Sequence, residues 1–157
     1  MKRTVAARIL IVDDDPVVSG MLGVSLAGAG YTITEADSGE AALAALAGMD
    51  AMELPDIVFL DVEMWGGIEG FEVCRRLKAN QSTRDIAVIF LTSKSEPAYE
   101  QLGFAIGAVD YISKPASTPI VLARVRTHLM LRTAAQLLDA RNHNLEHEVA
   151  QRTAELA

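Results

Sequence analysis

Apolar and polar residues follow one another along the chain in five cycles of the same kind. Apolar runs rich in β-branched residues occupy positions 9–12, 57–60 and 88–91, and each leads through a polar turn to apolar residues at helical spacing. This pattern predicts a strand, a turn and a helix. Two further cycles have predicted strands at 31–35 and 110–113. The alternation of strands and helices predicts an α/β fold.

The first, third and fourth predicted strands are unbroken apolar runs rather than alternating ones. Unbroken runs are typical of parallel strands that helices cover on both faces. We therefore predict an open, doubly wound sheet of five parallel strands. Binding sites in such sheets lie at the carboxyl ends of the strands.

The last predicted helix is too long for a domain of this size to bury. It begins near Pro119, with Thr118 as its cap, and no glycine or proline follows before the end of the chain. From Leu131 onward, steps of four and three residues mark one stripe of the helix, as in the a and d positions of a coiled coil. The stripe consists of Leu131, Ala135, Leu138, Asn142, Leu145, Val149, Arg152 and Leu156. We expect a globular domain over residues 1–132 and a projecting coiled-coil helix over 133–157. The alternative is an amphipathic helix that folds back onto its own domain.

Composition and charge narrow the class of protein. Half of the 157 residues are apolar, which is ample for a packed core, and the formal charge is −7. This charge divides into −8 over residues 1–123 and +1 over 124–157, so the globular part is acidic and direct binding to nucleic acid is not expected. No apolar run is long enough for a signal peptide or a membrane span. We expect a soluble, cytoplasmic protein without membrane association, and a buried thiol at Cys74.

Acidic side chains follow two of the predicted strands at the end where a site is expected. Asp13, Asp14 and Asp15 come directly after the first strand, and Asp61 comes directly after the third. If these strands are neighbours, the carboxylates converge and repel one another by about 4 kcal/mol per pair at about 4 Å. Such a cluster favours a hard divalent cation, and Mg²⁺ fits best because it takes one or two carboxylates together with phosphate oxygens. Helix capping explains Asp15, which precedes Pro16, but it leaves the other three aspartates unexplained.

The fourth and fifth strands add a hydroxyl and an ammonium group. Thr92 and Ser93 end the fourth strand, and Lys114 follows the fifth strand directly before Pro115. Beside a metal-bound carboxylate, a lysine neutralises phosphoryl oxygens and a hydroxyl donates a hydrogen bond to them. The joint placement of these groups at four strand ends predicts a phosphoryl site.

Four motifs at these strand ends resemble, in order and spacing, the receiver domains of two-component response regulators. The motifs occupy residues 11–14, 60–64, 91–93 and 111–115, and the resemblance covers about residues 8–130. It implies a flavodoxin-like sheet with the strand order 2-1-3-4-5. It also implies a regulatory phosphoacceptor rather than an enzyme, which receives its phosphoryl group from a sensor histidine kinase or a phosphotransfer protein.

The resemblance implies a role for each acidic residue of the site. Asp61 would be the phosphoacceptor. Asp14 would bind Mg²⁺ directly and Asp13 through water, and the backbone carbonyl of Glu63 would complete the protein ligands together with Asp61.

The same resemblance implies a two-state switch. Thr92 and Lys114 would bind the phosphoryl group, and Tyr111 would turn inward when Thr92 is drawn toward the site. The face formed by the fourth helix, fifth strand and fifth helix would then change. We expect a homodimer through this face and through the C-terminal helix.

The loop after Met64 departs from the family pattern. Residues 65–70 lack the usual proline, and the loop is one residue longer. Trp65 would lie within reach of the site, as a partner contact or a plug, or it is an incidental exposed ring. Glu63 and Lys94 stand at positions that tune phosphoryl lifetime in the family, and we expect that they pair across the pocket.

Two other motifs suggest different chemistry. Residues 13–17 satisfy the pattern of haloacid-dehalogenase-type phosphatases, in which Asp13 would be the nucleophile and Asp61 would have no role. His143, Glu146 and His147 match the H-x-x-E-H metalloprotease pattern, although no substrate cleft is expected on a projecting helix.

We expect the projecting helix to have a function beyond that of the globular domain. Leucines at d positions, with Val149 and a single Asn142 at a positions, indicate a parallel two-stranded coiled coil whose register is set by the buried amide. Residues 144–156 are similar to linkers that precede cyclic-dinucleotide phosphodiesterase, cyclase or kinase modules. We therefore expect an output domain after Ala157. The alternative is a stand-alone interaction module that dimerises or docks a partner.

Overall fold

The computed structural model describes residues 6–64 and 69–156, in which strands and helices alternate. The elements are β1 (Arg8–Val12), α1 (Pro16–Gly28), β2 (Thr32–Ala36), α2 (Gly39–Ala47), β3 (Ile57–Leu60), α3 (Gly70–Ala79), β4 (Ala87–Thr92), α4 (Pro97–Ala105), β5 (Asp110–Ser113) and α5 (Thr118–Leu156). The predicted alternation is confirmed. Strand β2 lies one residue further along the chain than the predicted 31–35, because Tyr31 still belongs to the turn that follows α1.

The five strands form one parallel sheet in the order β2-β1-β3-β4-β5, and the predicted topology is confirmed. Strand β1 pairs with β2 on one side and with β3 on the other, so that Val12 lies opposite both Ala36 and Leu60. The strand order reverses between β1 and β3, and this switch point opens a crevice at the carboxyl ends of the two strands. Residues 13 and 61 therefore emerge side by side.

Helices cover both faces of the sheet, as the unbroken apolar strands require. Successive residues of β1 alternate between two buried clusters: Leu10 and Val12 pack with α2 and α3, whereas Ile9 and Ile11 pack with α1 and α5. Cys74 on α3 is buried as predicted, and burial raises the pKa of its thiol to about 11.

Polar side chains fix where α1 and α2 begin. The carboxylate of Asp15 accepts a hydrogen bond from the backbone N–H of Val17 at 3.0 Å, with Pro16 at the first helical position. Ser38 caps α2 in the same way through the N–H of Ala41, at 3.0 Å. The capping interpretation of Asp15 is thus confirmed, and Asp13, Asp14 and Asp61 remain for the site.

Helix α5 is continuous over 39 residues and begins one residue before the predicted start. Its first part packs on the sheet through Val121 and Val125, which are 3% and 0% exposed. Every residue from 133 to 156 is exposed, so the helix does not fold back onto its domain. None of the helices in the described ranges is long and apolar enough to cross a membrane.

Candidate functional site

Three carboxylates converge at the switch point. One oxygen from each of Asp13, Asp14 and Asp61 lies within 4.8 Å of the others. Asp13 is buried, the side chain of Asp61 is 12% exposed, and Asp14 is partly buried. Close carboxylate oxygens at the mouth of a crevice are the ligands that a hard divalent cation prefers, so this set fits Mg²⁺.

Lys114 is the cation that faces this cluster. Its Nζ lies 2.6 Å from Asp13 Oδ2 and 3.0 Å from Asp61 Oδ2. Burial lowers the pKa of Lys114, but the hydrogen bonds with the two carboxylates outweigh it, so the pKa is raised and the ammonium stays charged. Burial raises the pKa of Asp13, and its hydrogen bonds with Lys114 and the Asp15 N–H offset only part of that effect.

Backbone hydrogen bonds hold Asp61 and the residue that follows it. Its N–H donates to the carbonyl of Val12 at 3.1 Å, which continues the pairing of β1 and β3 by one residue. On the other side, the N–H of Gly70 donates to the carbonyl of Val62 at 2.9 Å. A β-carbon on Gly70 would lie 2.1 Å from the carbonyl oxygen of Asp61, so only glycine lets α3 begin this close to the acidic residue. The spacing of residues along the sequence does not indicate this requirement.

Lys94 connects the remaining predicted residues. Its backbone N–H donates to the hydroxyl oxygen of the fully buried Thr92 at 3.3 Å, and its carbonyl accepts a hydrogen bond from the Tyr111 hydroxyl. Its Nζ lies 2.9 Å from Glu63 Oε1, so the expected pairing of these two residues is confirmed. This hydrogen bond raises the pKa of Lys94.

The Tyr111 ring faces inward in this structure and is 8% exposed. Its centroid lies 5.8 Å from that of Phe90, and burial raises the pKa of the phenol to about 12. The hydroxyl groups of Tyr111 and Thr92 thus both form hydrogen bonds with Lys94, in the loop that follows β4.

One predicted feature is not described by the structure, and another lies away from the carboxylate cluster. Trp65 falls outside the described residues. His143 and His147 are exposed on α5. Within residues 6–64 and 69–156, the potential metal ligands that lie close enough together to share an ion are Asp13, Asp14 and Asp61.

Basic residues on α5 form a second polar cluster. Arg124 Nη1 donates to both carboxylate oxygens of Asp110, at 2.8 and 2.9 Å, and His128 Nε2 lies 2.9 Å from Asp110 Oδ2. Burial raises the pKa of Asp110, but these hydrogen bonds outweigh it and the net pKa is lowered. One turn further, Arg132 Nη1 donates to the carbonyls of Asp56 and Asp85, at 3.1 and 2.7 Å.

These three basic residues of α5 were not among the predicted site residues. The four-residue spacing of 124, 128 and 132 was a usable signal, because it puts three basic side chains on one helix face.

Comparison with known proteins identifies the family. The family model for the response regulator receiver domain matches residues 9–126. The chain belongs to the response regulator receiver family. The resemblance of the four motifs to receiver domains is thus confirmed, and the site described above lies within the matched residues.

Relatives of this receiver domain include longer proteins. The chain is 45% identical over 149 residues to a Vibrio cholerae serotype O1 protein named "Probable cyclic di-GMP phosphodiesterase", covering 94% of the chain and 32% of the relative. It is 39% identical over 122 residues to the response regulator PleD of Caulobacter vibrioides, covering 78% of the chain and 26% of PleD. The chain therefore spans only a third or less of the length of either relative.

Among solved structures, the BeF3-activated DrrB receiver domain of Thermotoga maritima superposes with a TM-score of 0.70 at 30% identity. The match covers 80% of this chain and 99% of the DrrB domain.

Proposed function

We propose that Asp61 accepts a phosphoryl group from a phosphohistidine of a sensor histidine kinase or a phosphotransfer protein. The observation that carries the proposal is the position of the Asp61 carboxylate, with Lys114 Nζ 3.0 Å away and two further carboxylates within 4.8 Å. In the transfer an Asp61 oxygen attacks phosphorus, the new O–P bond forms, and the N–P bond to histidine breaks. The imidazole leaves and takes a proton from solvent.

Mg²⁺ would be held by Asp13, Asp14, Asp61 and the backbone carbonyl of Glu63. When bound, the ion neutralises charge on the phosphoryl oxygens. The charged Lys114 provides the second positive charge, and its contacts with Asp13 and Asp61 hold both carboxylates in place. The N–H of Glu63 donates to Asp61 Oδ1 at 3.3 Å and leaves Asp61 Oδ2 on the side of the lysine.

The switch would work through Lys94. A charged phosphoryl oxygen on Asp61 is a stronger hydrogen-bond acceptor than a neutral oxygen. It would therefore draw the buried hydroxyl of Thr92 toward the site. The hydroxyl oxygen of Thr92 accepts the N–H of Lys94, whose carbonyl holds the hydroxyl of Tyr111. Movement at Thr92 therefore changes the position of Tyr111 and the face formed by α4, β5 and α5.

Helix α5 would carry this change to a partner. The Vibrio cholerae alignment covers 94% of the chain and so extends past residue 126 into the exposed part of α5. We include in the proposal a cytoplasmic homodimer, formed through the α4-β5-α5 face and through α5, that controls an output domain. The name of that relative points to an output of the cyclic-dinucleotide class.

Phosphorylation with acetyl phosphate and Mg²⁺, followed by intact-mass analysis, tests the phosphoacceptor. The wild type and the capping variant Asp15→Asn should gain one phosphoryl group, and Asp61→Asn should gain none. A chelator should abolish the gain. If Asp61→Asn keeps the label and only Asp13→Asn loses it, the phosphatase alternative replaces the receiver mechanism.

A further inference from the structure

Helix α5 bears an apolar stripe that its own domain leaves uncovered. The side chains of Leu138, Leu145 and Val149 are 60%, 49% and 64% exposed. They lie beyond Arg132, whose guanidinium makes the last hydrogen bonds from α5 to the domain within the described residues. Apolar residues at a and d positions on an exposed helix are buried when a second helix packs against them.

The stripe lies on the side of α5 that faces the edge strand β5. A helix turns about 100° per residue, so Leu131 points roughly a quarter turn away from its neighbour Arg132, which faces the sheet. Arg124 lies seven residues before Leu131 and within about 20° of the same direction, and it binds Asp110 at the start of β5. A second copy on the stripe would therefore lie beside the α4-β5-α5 face and away from α1.

The charges that flank the stripe fit a second copy in one orientation. With Asn142 at an a position, Arg141 is a g residue and Glu146 is an e residue of the next heptad. In a parallel pair in register, each g residue faces the e residue of the following heptad on the other helix. Arg141 then faces the partner's Glu146, and symmetry repeats this contact.

Arg141 and Glu146 are unpaired on their own helix. Neither residue has an Asp, Glu, Lys or Arg three or four positions away along the helix. In the part of the chain that the structure describes, neither takes part in an ion pair. Both charges are therefore available to a partner helix.

The antiparallel arrangement fits less well. When residues 135–152 of two copies run in opposite directions, Asn142 meets a leucine, and its buried amide lacks a partner. Asp139 meets the partner's Glu146, and these like charges repel. The one attraction gained, between Arg141 and the partner's Glu148, competes with Arg152 four residues along the same helix as that glutamate.

We propose that residues 131–149 pair with a second copy of this chain as a parallel coiled coil in register, with Asn142 opposite Asn142 and Arg141 opposite the partner's Glu146. This inference rests on the dimer in the proposed function and is independent of phosphorylation at Asp61.

Disulfide trapping in the full chain tests the orientation. Leu138→Cys and Val149→Cys are made singly, and the two variants are distinguished by a mass tag. The buried Cys74 remains as an internal unreactive thiol. In the parallel pair each variant forms a disulfide with itself, and a mixture forms none between positions 138 and 149, which are about 16 Å apart along the axis. Disulfides that form only between the two different variants would overturn the parallel arrangement.

Charge exchange tests the register. Sedimentation equilibrium should show that Arg141→Glu raises the dimer Kd about tenfold, because two attractions become two repulsions. Adding Glu146→Arg to that variant should restore the wild-type Kd. Arg126→Glu makes the same charge change about 200° around α5 from Arg124, on the side turned away from β5, and should leave the Kd unaltered. A double variant as weak as the single one contradicts the pairing.

Different results would contradict the coiled-coil proposal and the phosphoacceptor proposal. A monomer at high concentration, with and without beryllofluoride, overturns the coiled coil and leaves the phosphorylation experiment unaffected. Loss of the label in Asp61→Asn supports the phosphoacceptor whatever the state of the helix.

Discussion

Replacing Gly70 with alanine tests how tightly the turn beneath Asp61 is built. The added β-carbon would lie 2.1 Å from the Asp61 carbonyl oxygen and 3.1 Å from the Val62 Cα. Both are backbone atoms, so no side chain can rotate away. The N–H of Gly70 also donates to the Val62 carbonyl, and α3 cannot retreat without stretching this hydrogen bond.

The expected loss of stability follows from these contacts. Forcing a methyl group into a packed site costs about 1–3 kcal/mol, and weakening a buried hydrogen bond adds about 1 kcal/mol. We expect Gly70→Ala to lower the free energy of unfolding by about 3 kcal/mol, and Tm by about 6–12 °C for a chain of this size. Displacement of the Asp61 backbone should also slow phosphorylation by acetyl phosphate.

Thermal unfolding followed by circular dichroism measures the first effect, and intact-mass time courses measure the second. Gly20→Ala is the matched control, since a β-carbon at this position in α1 meets nothing within 4 Å. It should gain up to about 1 kcal/mol from helix propensity. A Tm for Gly70→Ala equal to or above that of the wild type would refute the close approach.

Three further predictions concern charged side chains. Asp110→Asn should lower the free energy of unfolding by about 1–3 kcal/mol at pH 7. Because the pKa of Asp110 is lowered in the folded protein, the charged carboxylate stabilises the fold above the unfolded pKa of about 4, and this stabilisation is lost as pH falls through the folded pKa. Urea unfolding at pH 3 should therefore show a smaller difference in stability between variant and wild type. Reversing Glu63 to lysine sets two ammonium groups against each other in place of the 2.9 Å pair with Lys94 and should alter the dephosphorylation rate; an unchanged rate contradicts a role for the pair. Arg132→Ala removes two hydrogen bonds from α5 to the domain and should speed amide exchange over residues 126–135, whereas Arg152→Ala should not.

Much of the fold could be predicted because its signals are local. Three strands are unbroken apolar runs, each followed by a turn and a helix, and a buried parallel sheet is the arrangement that satisfies them. The convergence of Asp13 and Asp61 was also predictable, since side chains that follow neighbouring parallel strands meet at one edge. The misplaced boundary of β2 reflects a weaker signal: this strand is largely exposed and has no continuous apolar run.

The features that were missed depend on contacts between distant parts of the chain. The need for glycine at position 70 follows from the approach of α3 to the Asp61 backbone, and spacing along the chain does not reveal that approach. The cluster at Asp110 joins residues 14 and 18 positions apart, and Arg132 reaches a carbonyl 76 residues away. Such pairs emerge only when the packing angle of α5 on the sheet is known.

The continuity of α5 makes it a lever arm. The 24 residues beyond Arg132 extend the helix by about 36 Å. A tilt of about 10° at the arginine pivot would therefore carry the tip at Leu156 through about 6 Å, which is far more than the travel of a single hydrogen bond. If the switch proposed at Asp61 tilts α5 about this pivot, the helix would turn a rearrangement of a few atoms into a displacement of several ångströms at its tip.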